Sequence, residues 1–267
     1  MRIVVCIKQV PSTNKVQLHP ETNTIIRDGR QSVTNPFDTY AIEEAVRIKE
    51  AVGGEVIALS MGIPETERLL RDAESRGVDR AILLSDRKFA GADTLATSYT
   101  LSLGIGELSP VDLVLCGKMA VDGDTAQIGP ELAEQLGIPH VTDVSEIYSI
   151  TKTSIECKKE TDHGYQHLKV KLPALLTVIK DINMPRMPSI KGVLESQKAP
   201  FTRKDAEKLD ADFQRIGLTG SPTQVVKTFI PERMSEAVEI VGEAEEQAKK
   251  ARNIIDEVLK DGRLDYL

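Results

Sequence analysis

The sequence predicts an α/β protein built on a doubly wound, mostly parallel sheet, with added antiparallel strands, an extended arm and a long C-terminal helix. Three observations predict it. Over the first half of the 267 residues, short apolar runs alternate with segments of helical period, the pattern of parallel strands joined by right-handed crossovers. Beyond residue 139 the pattern changes to two-residue alternation, as antiparallel strands with one solvated face require. From Asn183 to about Thr228 the chain is broken by Pro185, Pro188, Pro200 and Pro222 and has little periodicity, before a final helical pattern.

Ile3 to Ile7 is the first strand. A turn-rich hairpin is expected around Pro20 to Asn23, with Val16 and Leu18 before it and Ile25 and Ile26 after it. Pro36 opens a helix with Asn35 as its cap, an apolar face of Ala41, Ile42, Ala45, Val46 and Ile48, and Gly53-Gly54 as its stop. Glu55 to Met61 is the second strand, Glu65 to Arg76 a helix ended by Gly77, and Asp79 to Leu84 the third strand. Asp93 or Thr94 caps a helix running through Leu103, and residues 111 to 116 form the fourth strand. Segments near 140–148, 153–158 and 165–171, then Leu175 to Ile179, read as antiparallel strands finishing the sheet.

The last helix is expected from near Pro231 to Gly262. Met234, Ala237, Val241, Ala244, Ala248, Ala251, Ile255 and Val258 recur three and four apart, a heptad stripe that suits packing on another chain. The implied organisation is an α/β domain over 1–183, an arm over 184–230 and a helical segment over 231–267.

Composition narrows the function. A net charge of −7 and 4% aromatic residues offer neither the basic footprint nor the stacking platforms of a nucleic-acid binder. No apolar run approaches the roughly 18 residues that span a bilayer, and no signal peptide is apparent. Three scattered cysteines, Cys6, Cys116 and Cys157, fit a reducing cytoplasm rather than a disulfide framework. There is no Walker A motif, no GxGxxG after the first strand, no GxSxG and no helical histidine pair.

The informative residues sit where strands end, the place at which doubly wound sheets bind ligands. Cys6, Lys8 and Gln9 leave the first strand, Met61 and Gly62 the second, Ser85 to Thr94 the third, and Gly117 to Gln127 the fourth. The stretch GKMAVDGDTAQIGPELAEQLGIP, residues 117–139, passes from strand through a glycine-containing loop into a helix. Gly117 and Gly123 would let a ligand approach the backbone, Asp124 or Thr125 can cap the helix, and first-turn amides point at an anion. Asp122 and Asp124 would bond loop amides or ligand hydroxyls. An ordinary capped loop remains an equal reading of this stretch alone. Cys6 and Cys116 end adjacent strands and read as small buried residues.

MRIVVCIKQVP at the start, Asn35-Pro36-Phe37 followed by AIEEAVRIKE, VIALSMG at 56–62, LVLCGKMAVDGDTAQIGPELAEQLGIP and LKVKLPALLTVIKDINMPRMPSI at 168–190 together resemble the β subunit of electron transfer flavoproteins. The resemblance covers essentially the whole chain. It implies a Rossmann-like, adenine-nucleotide-binding domain and a heterodimer with a flavoprotein α subunit. Two nucleotide states are known in that family: housekeeping members hold a structural AMP, and electron-bifurcating members hold a second FAD that accepts a hydride from NADH. The Asp122-Gly123-Asp124-Thr125 loop and the segment Ala90 to Ser98 are similar to the bifurcating group.

The resemblance places Cys6, Asn35, Phe37, Met61 and the run Gly117, Lys118, Met119, Ala120, Val121, Asp122, Gly123, Asp124, Thr125, Ala126, Gln127 and Ile128 around adenosine and phosphates. Asp93, Thr94 and Thr97 fall near the flavin end. It also implies an acyl-CoA dehydrogenase or reductase as partner, recognised by the arm around 184–205, and a low-potential acceptor such as ferredoxin. The chain would then be an electron-carrier subunit of an NADH-dependent oxidoreductase, with no catalytic or metal-ligating side chain of its own. The alternatives are the AMP-bearing housekeeping type and a nucleotide-sensing module of the universal-stress type.

Overall fold

A computed structural model describes residues 1–12, 32–226 and 239–260, with side chains described to residue 257. The expected hairpin around residue 20 and the stripe positions Met234 and Ala237 lie outside the described residues, as do Gly262 and the side chain of Val258. The chain forms two compact units, Met1–Val226 and Lys227–Leu267.

In the first unit the strands are β1 (Arg2–Cys6), β2 (Gln9–Pro11), β3 (Ser32–Thr34), β4 (Glu55–Met61), β5 (Arg80–Leu84), β6 (Leu113–Gly117), β7 (His140–Ile150), β8 (Ser154–Thr161), β9 (Gly164–Lys171), β10 (Ala174–Val178) and β11 (Thr202–Lys204). Nine of them form one sheet in the order β11-β5-β4-β1-β6-β10-β7-β8-β9, and β2 with β3 makes a small antiparallel ribbon. The helices are α1 (Pro36–Val52), α2 (Glu67–Ser75), α3 (Thr94–Gly106), α4 (Ile128–Leu136) and α5 (Ile190–Ser196).

Alternation along each central strand divides the core. Ile3 and Val5 of β1 join Ala41, Ile42, Ala45 and Leu70 from α1 and α2. Val4 and Cys6 face the other way, with Leu101, Ile105 and Leu132 from α3 and α4. Each large side chain so buried contributes roughly 1.5–3 kcal/mol, and both faces of β1, β4 and β6 are covered, which is why these strands read as continuous apolar runs.

The structure corrects the expected antiparallel finish. Within the large sheet the antiparallel pairings are β7 with β8 and β8 with β9, so β8 alone is reversed; β10 pairs in parallel with β6 on one side and with β7 on the other. Ala174–Val178 is buried at every residue because it enters the middle of the sheet. The outer part of β7 alternates because that part pairs with β8 at the sheet's margin.

The stretch after residue 183 returns to the sheet instead of extending from it. α5 lies against α2, where a Cβ at Gly192 would meet the Ser75 carbonyl oxygen at 2.3 Å. β11 adds to the sheet in parallel beside β5, and Ala206, Leu209 and Ile216 are buried in the α3/α4 core. These anchors are single residues without a period, so the sequence pattern does not announce them.

In the second unit the helix α6 is Ala244–Lys260. It begins later than the expected stripe: Glu239 to Glu243 are not helical, and Gly242 has φ +139°. Val241 therefore leaves the seam, which a continuous helix alone would keep in register. Ala244, Ala248 and Ile255 are exposed along α6. Among the described residues no helix is long and apolar enough to cross a membrane.

Candidate functional site

The order β4-β1-β6 puts the chain's change of direction between β1 and β6, the topological position at which doubly wound sheets open a crevice. Cys6 and Cys116 stand directly opposite each other there, both buried. A hydrogen bond with Cys6, then burial, pushes the Cys116 thiol well above its ordinary range. The pair packs, and Cys116 is not primed as a nucleophile.

The first turn of α1 closes this end of the sheet. Asn35 precedes Pro36 as expected, but its side chain does not cap the helix. It reaches the β6 loop, donating Nδ2–H to the Met119 carbonyl at 2.8 Å and accepting from the Val121 amide at 3.1 Å. Asp38, one turn on, accepts from the Lys8 amide at 2.7 Å and from the Gly117 amide at 3.2 Å. Gly117 is required by this contact: a Cβ would lie 2.4 Å from Asp38 Oδ1 and 2.6 Å from the Phe37 carbonyl carbon.

Beyond this anchor the loop is open. Val121 to Gln127 are exposed without interruption. Asp122 bonds neither loop amides nor the helix; it pairs with Lys8 Nζ at 2.7 Å, joining the loops that leave β1 and β6. Gly123 does not carry the unusual backbone. Asp124 (φ 50°) and Ala126 (φ 54°) do, while a Cβ on Gly123 would meet nothing within 4 Å. Amides of Gly123 and Asp124 both bond the Ala120 carbonyl. Neither Asp124 nor Thr125 caps α4. Gln127 holds that position in a helical conformation with no side-chain bond to the first turn, which leaves the leading amides of α4 without a side-chain acceptor.

The α3 helix approaches the same helix start. Thr94 Oγ1 lies 3.2 Å from Gln127 Oε1 and donates to Glu131 Oε1 at 3.0 Å. Burial raises the Glu131 carboxyl against this hydroxyl bond, with nearby Asp93 adding to the rise. Asp93 is the cap of α3, accepting from the Ala96 amide, and also binds the amide and hydroxyl of Thr223 at 3.0 and 2.9 Å. Burial opposes its charge, but these bonds outweigh it and hold the carboxyl below its usual value. Asp93 thus faces the 221–223 segment, not the 117–128 loop. Thr97 sits half-buried one turn further along α3, and Met61 half-buried at the end of β4, packed on the α3/α4 core. The described hydrogen bonds tie neither side chain to the 117–128 loop.

Sequence reasoning missed two carboxylates. Asp38 immediately follows the motif residue Phe37, yet an acid in a helix's first turn is ordinarily solvated. Here desolvation drives its carboxyl up to about 7, against hydrogen bonds from Asn35 and the amides of Lys8 and Gly117. Asp143 sits with φ 58° where the β10–β7 pairing shifts register, and pairs with Lys118 Nζ at 2.8 Å. Its signal is only tertiary, since it appears mid-strand in an alternating pattern.

The raised Asp38 carboxyl has a defined linkage. Between the unfolded value near 4 and the folded value of about 7 the native state holds the extra proton, so Asp38's contribution falls as pH rises through that window. The stability advantage of the unaltered chain over Asp38→Asn is expected to shrink by on the order of 1 kcal/mol per pH unit from pH 4.5 to 7 and then level off. Urea denaturation of both chains across this range measures it; a pH-independent difference would show that Asp38 is already ionised when folded.

The chain matches the model of the electron transfer flavoprotein domain over residues 22–209. It is 49% identical over 232 residues to the electron transfer flavoprotein subunit beta of Thermoanaerobacterium thermosaccharolyticum, covering 86% of this chain and 88% of that one. It is 46% identical to the caffeyl-CoA reductase-Etf complex subunit CarD of Acetobacterium woodii, with the same coverage of 86% and 88%. It is also 39% identical to protein FixA of Bradyrhizobium diazoefficiens over 93% of this chain and 89% of that one. With its change of strand order between β1 and β6 and these relatives along its length, the chain belongs to the electron transfer flavoprotein family, on the β-subunit side.

Proposed function

We propose that this chain is the FAD-carrying β subunit of a bifurcating electron transfer flavoprotein, active with a flavoprotein α subunit. In this reading the heterodimer takes a hydride from NADH and sends electrons to an acyl-CoA dehydrogenase or reductase and to a low-potential acceptor such as ferredoxin. The observation that carries it is the β6–α4 connection: an anchored base, an exposed loop with space at Gly123, and helix amides left without a side-chain acceptor. These donors suit a dinucleotide's pyrophosphate. A relative named as a subunit of a caffeyl-CoA reductase-Etf complex supports the dehydrogenase-type partner.

When bound, FAD supplies the ring system that accepts a hydride and parts with single electrons. The chain's own residues bind and orient. Asn35 and Asp38 fix the loop's base, residues 125–128 offer amides and the Thr125 hydroxyl to the phosphates, and Thr94 presents a hydroxyl at the junction of α3 and α4, beside Thr97 and the helix start that Asp93 caps. Residues 184–205 are assigned to recognition of the dehydrogenase-type partner, and the second unit with α6 to the α subunit.

Cofactor content tests the reading directly. The purified heterodimer should release two FAD and no AMP, and anaerobic NADH should bleach flavin absorbance; one FAD with one AMP would establish the housekeeping type instead. Replacing Gly123 by Val should leave the thermal stability of the flavin-free chain unchanged, because a Cβ there meets open space, while the assembled heterodimer loses one of its two flavins. Retention of both flavins would place the cofactor elsewhere. A chain ending at Val226 keeps all nine strands of the large sheet and should unfold as cooperatively as the full chain, yet fail to co-purify with the α subunit at one to one.

A further inference from the structure

Four apolar side chains stand in water along the segment after β10: Met184, Met187, Ile190 and Leu194 are 82%, 81%, 84% and 56% exposed. Side chains this exposed in one short segment are uncommon on a free surface and mark contact sites. Between the two methionines lies Arg186, and its surroundings are the reverse of exposed and loose.

The Arg186 guanidinium makes a two-pronged contact with each of two α1 carboxylates. Nε and Nη2 bond Glu43 at 2.8 and 3.2 Å, and Nη1 and Nη2 bond Glu50 at 2.6 and 2.9 Å. The Arg186 amide also donates to Glu43 at 3.0 Å, and its carbonyl accepts from Arg76, just past the end of α2, at 2.7 Å. Three residues earlier, Asn183 donates to the Tyr40 carbonyl and to Glu44. Glu43 is buried. Burial opposes its charge, yet the bonds from Arg186 and Arg47 hold its carboxyl below the usual range. Lifting the segment would strand that carboxylate without its main partner, the arrangement in which a buried pair resists opening most strongly.

We propose that Arg186 is a positioning residue for partner docking: by clamping the segment to Glu43 and Glu50 of α1 it holds the four exposed apolar side chains in one fixed arrangement for the protein acceptor. The inference rests on the reading of residues 184–205 as the surface for a dehydrogenase-type partner. A loop ordered before contact avoids the ordering cost that weakens docking by flexible segments. The chemistry of the occupant follows from the surface, an apolar cleft with a carboxylate at its edge, because Lys198 is exposed at the end of the apolar row while Lys191 pairs with Glu195 at 3.7 Å. Only arginine fills the role. Lysine would keep the charge but lose the planar fork that engages two carboxylates at once.

The test uses the full chain assembled with its α subunit, carrying Arg186→Ala, Arg186→Lys or Glu50→Gln. NADH-driven electron transfer is followed to an acyl-CoA dehydrogenase and, separately, to ferricyanide, which needs no docking. Arg186→Ala and Arg186→Lys should each raise KM for the dehydrogenase about tenfold with kcat and the ferricyanide rate unchanged. Glu50→Gln, a change at an exposed carboxylate, should raise KM less, and it carries the test should the Arg186 variants fail to fold. Unchanged KM in the variants, full function of Arg186→Lys, or a matching loss of the ferricyanide rate would overturn the clamp's role. If the unaltered complex reduces ferricyanide but not the dehydrogenase, the partner reading falls, and this inference with it.

Discussion

One buried carboxylate organises the end of the sheet on which the rest depends. Asp38 gives an oxygen to the amide leaving β1 and another to the amide ending β6, so the first turn of α1 joins the two strands that flank the switch point. The contact requires that residue 117 have no side chain, and it places Asn35 where both polar atoms of its amide meet the next loop. Burying a carboxyl this way is costly, and the raised Asp38 carboxyl is the measure of that cost. What is gained is a rigid frame for a loop that is otherwise in solvent.

Rigidity and openness are thus divided along a dozen residues. Gly117 to Val121 are tied to α1, Asp122 is tied to Lys8, and the stretch from Gly123 to Gln127 is exposed up to a helix start with no side-chain cap. A single adenylate and a dinucleotide both use such donors; in the proposed reading the longer ligand would occupy the open space around Gly123. The side of the loop at α3 is built differently, through Thr94 reaching Gln127 and Glu131, while Asp93 holds the 221–223 segment in place.

The segment after β10 repeats this economy at the surface. Its apolar residues are displayed while particular polar groups tie it down: Asn183 and Arg186 turn back to α1, and Ser196 and Ala199 offer carbonyls to Arg71 of α2. The chain then rejoins the core through β11 and Ala206. Display without disorder needs such anchors, because an exposed apolar loop free to collapse would bury itself.

Local pattern determined a great deal. The bounds of β4, the helix entry at Asn35-Pro36, the Asp93 cap of α3 and the strand–loop–helix at 111–136 were all legible, because burial on one or two faces and capping chemistry leave a period or a residue type in the sequence. The facing of Cys6 and Cys116 followed from strand order alone. Tertiary structure decided what a period does not encode. Periodicity reports that Ala174–Val178 is buried but not that it inserts between β6 and β7, since parallel and antiparallel neighbours hide a short apolar strand equally well. It made Asn35 a helix cap, where the fold spends its side chain on a loop more than 80 residues away. It ran the last helix through Gly242, where the backbone turns aside. Asp38, Asp143 and Arg186 owe their surroundings to partners brought from distant parts of the chain, and such pairings exist only once the sheet has placed its strand ends together.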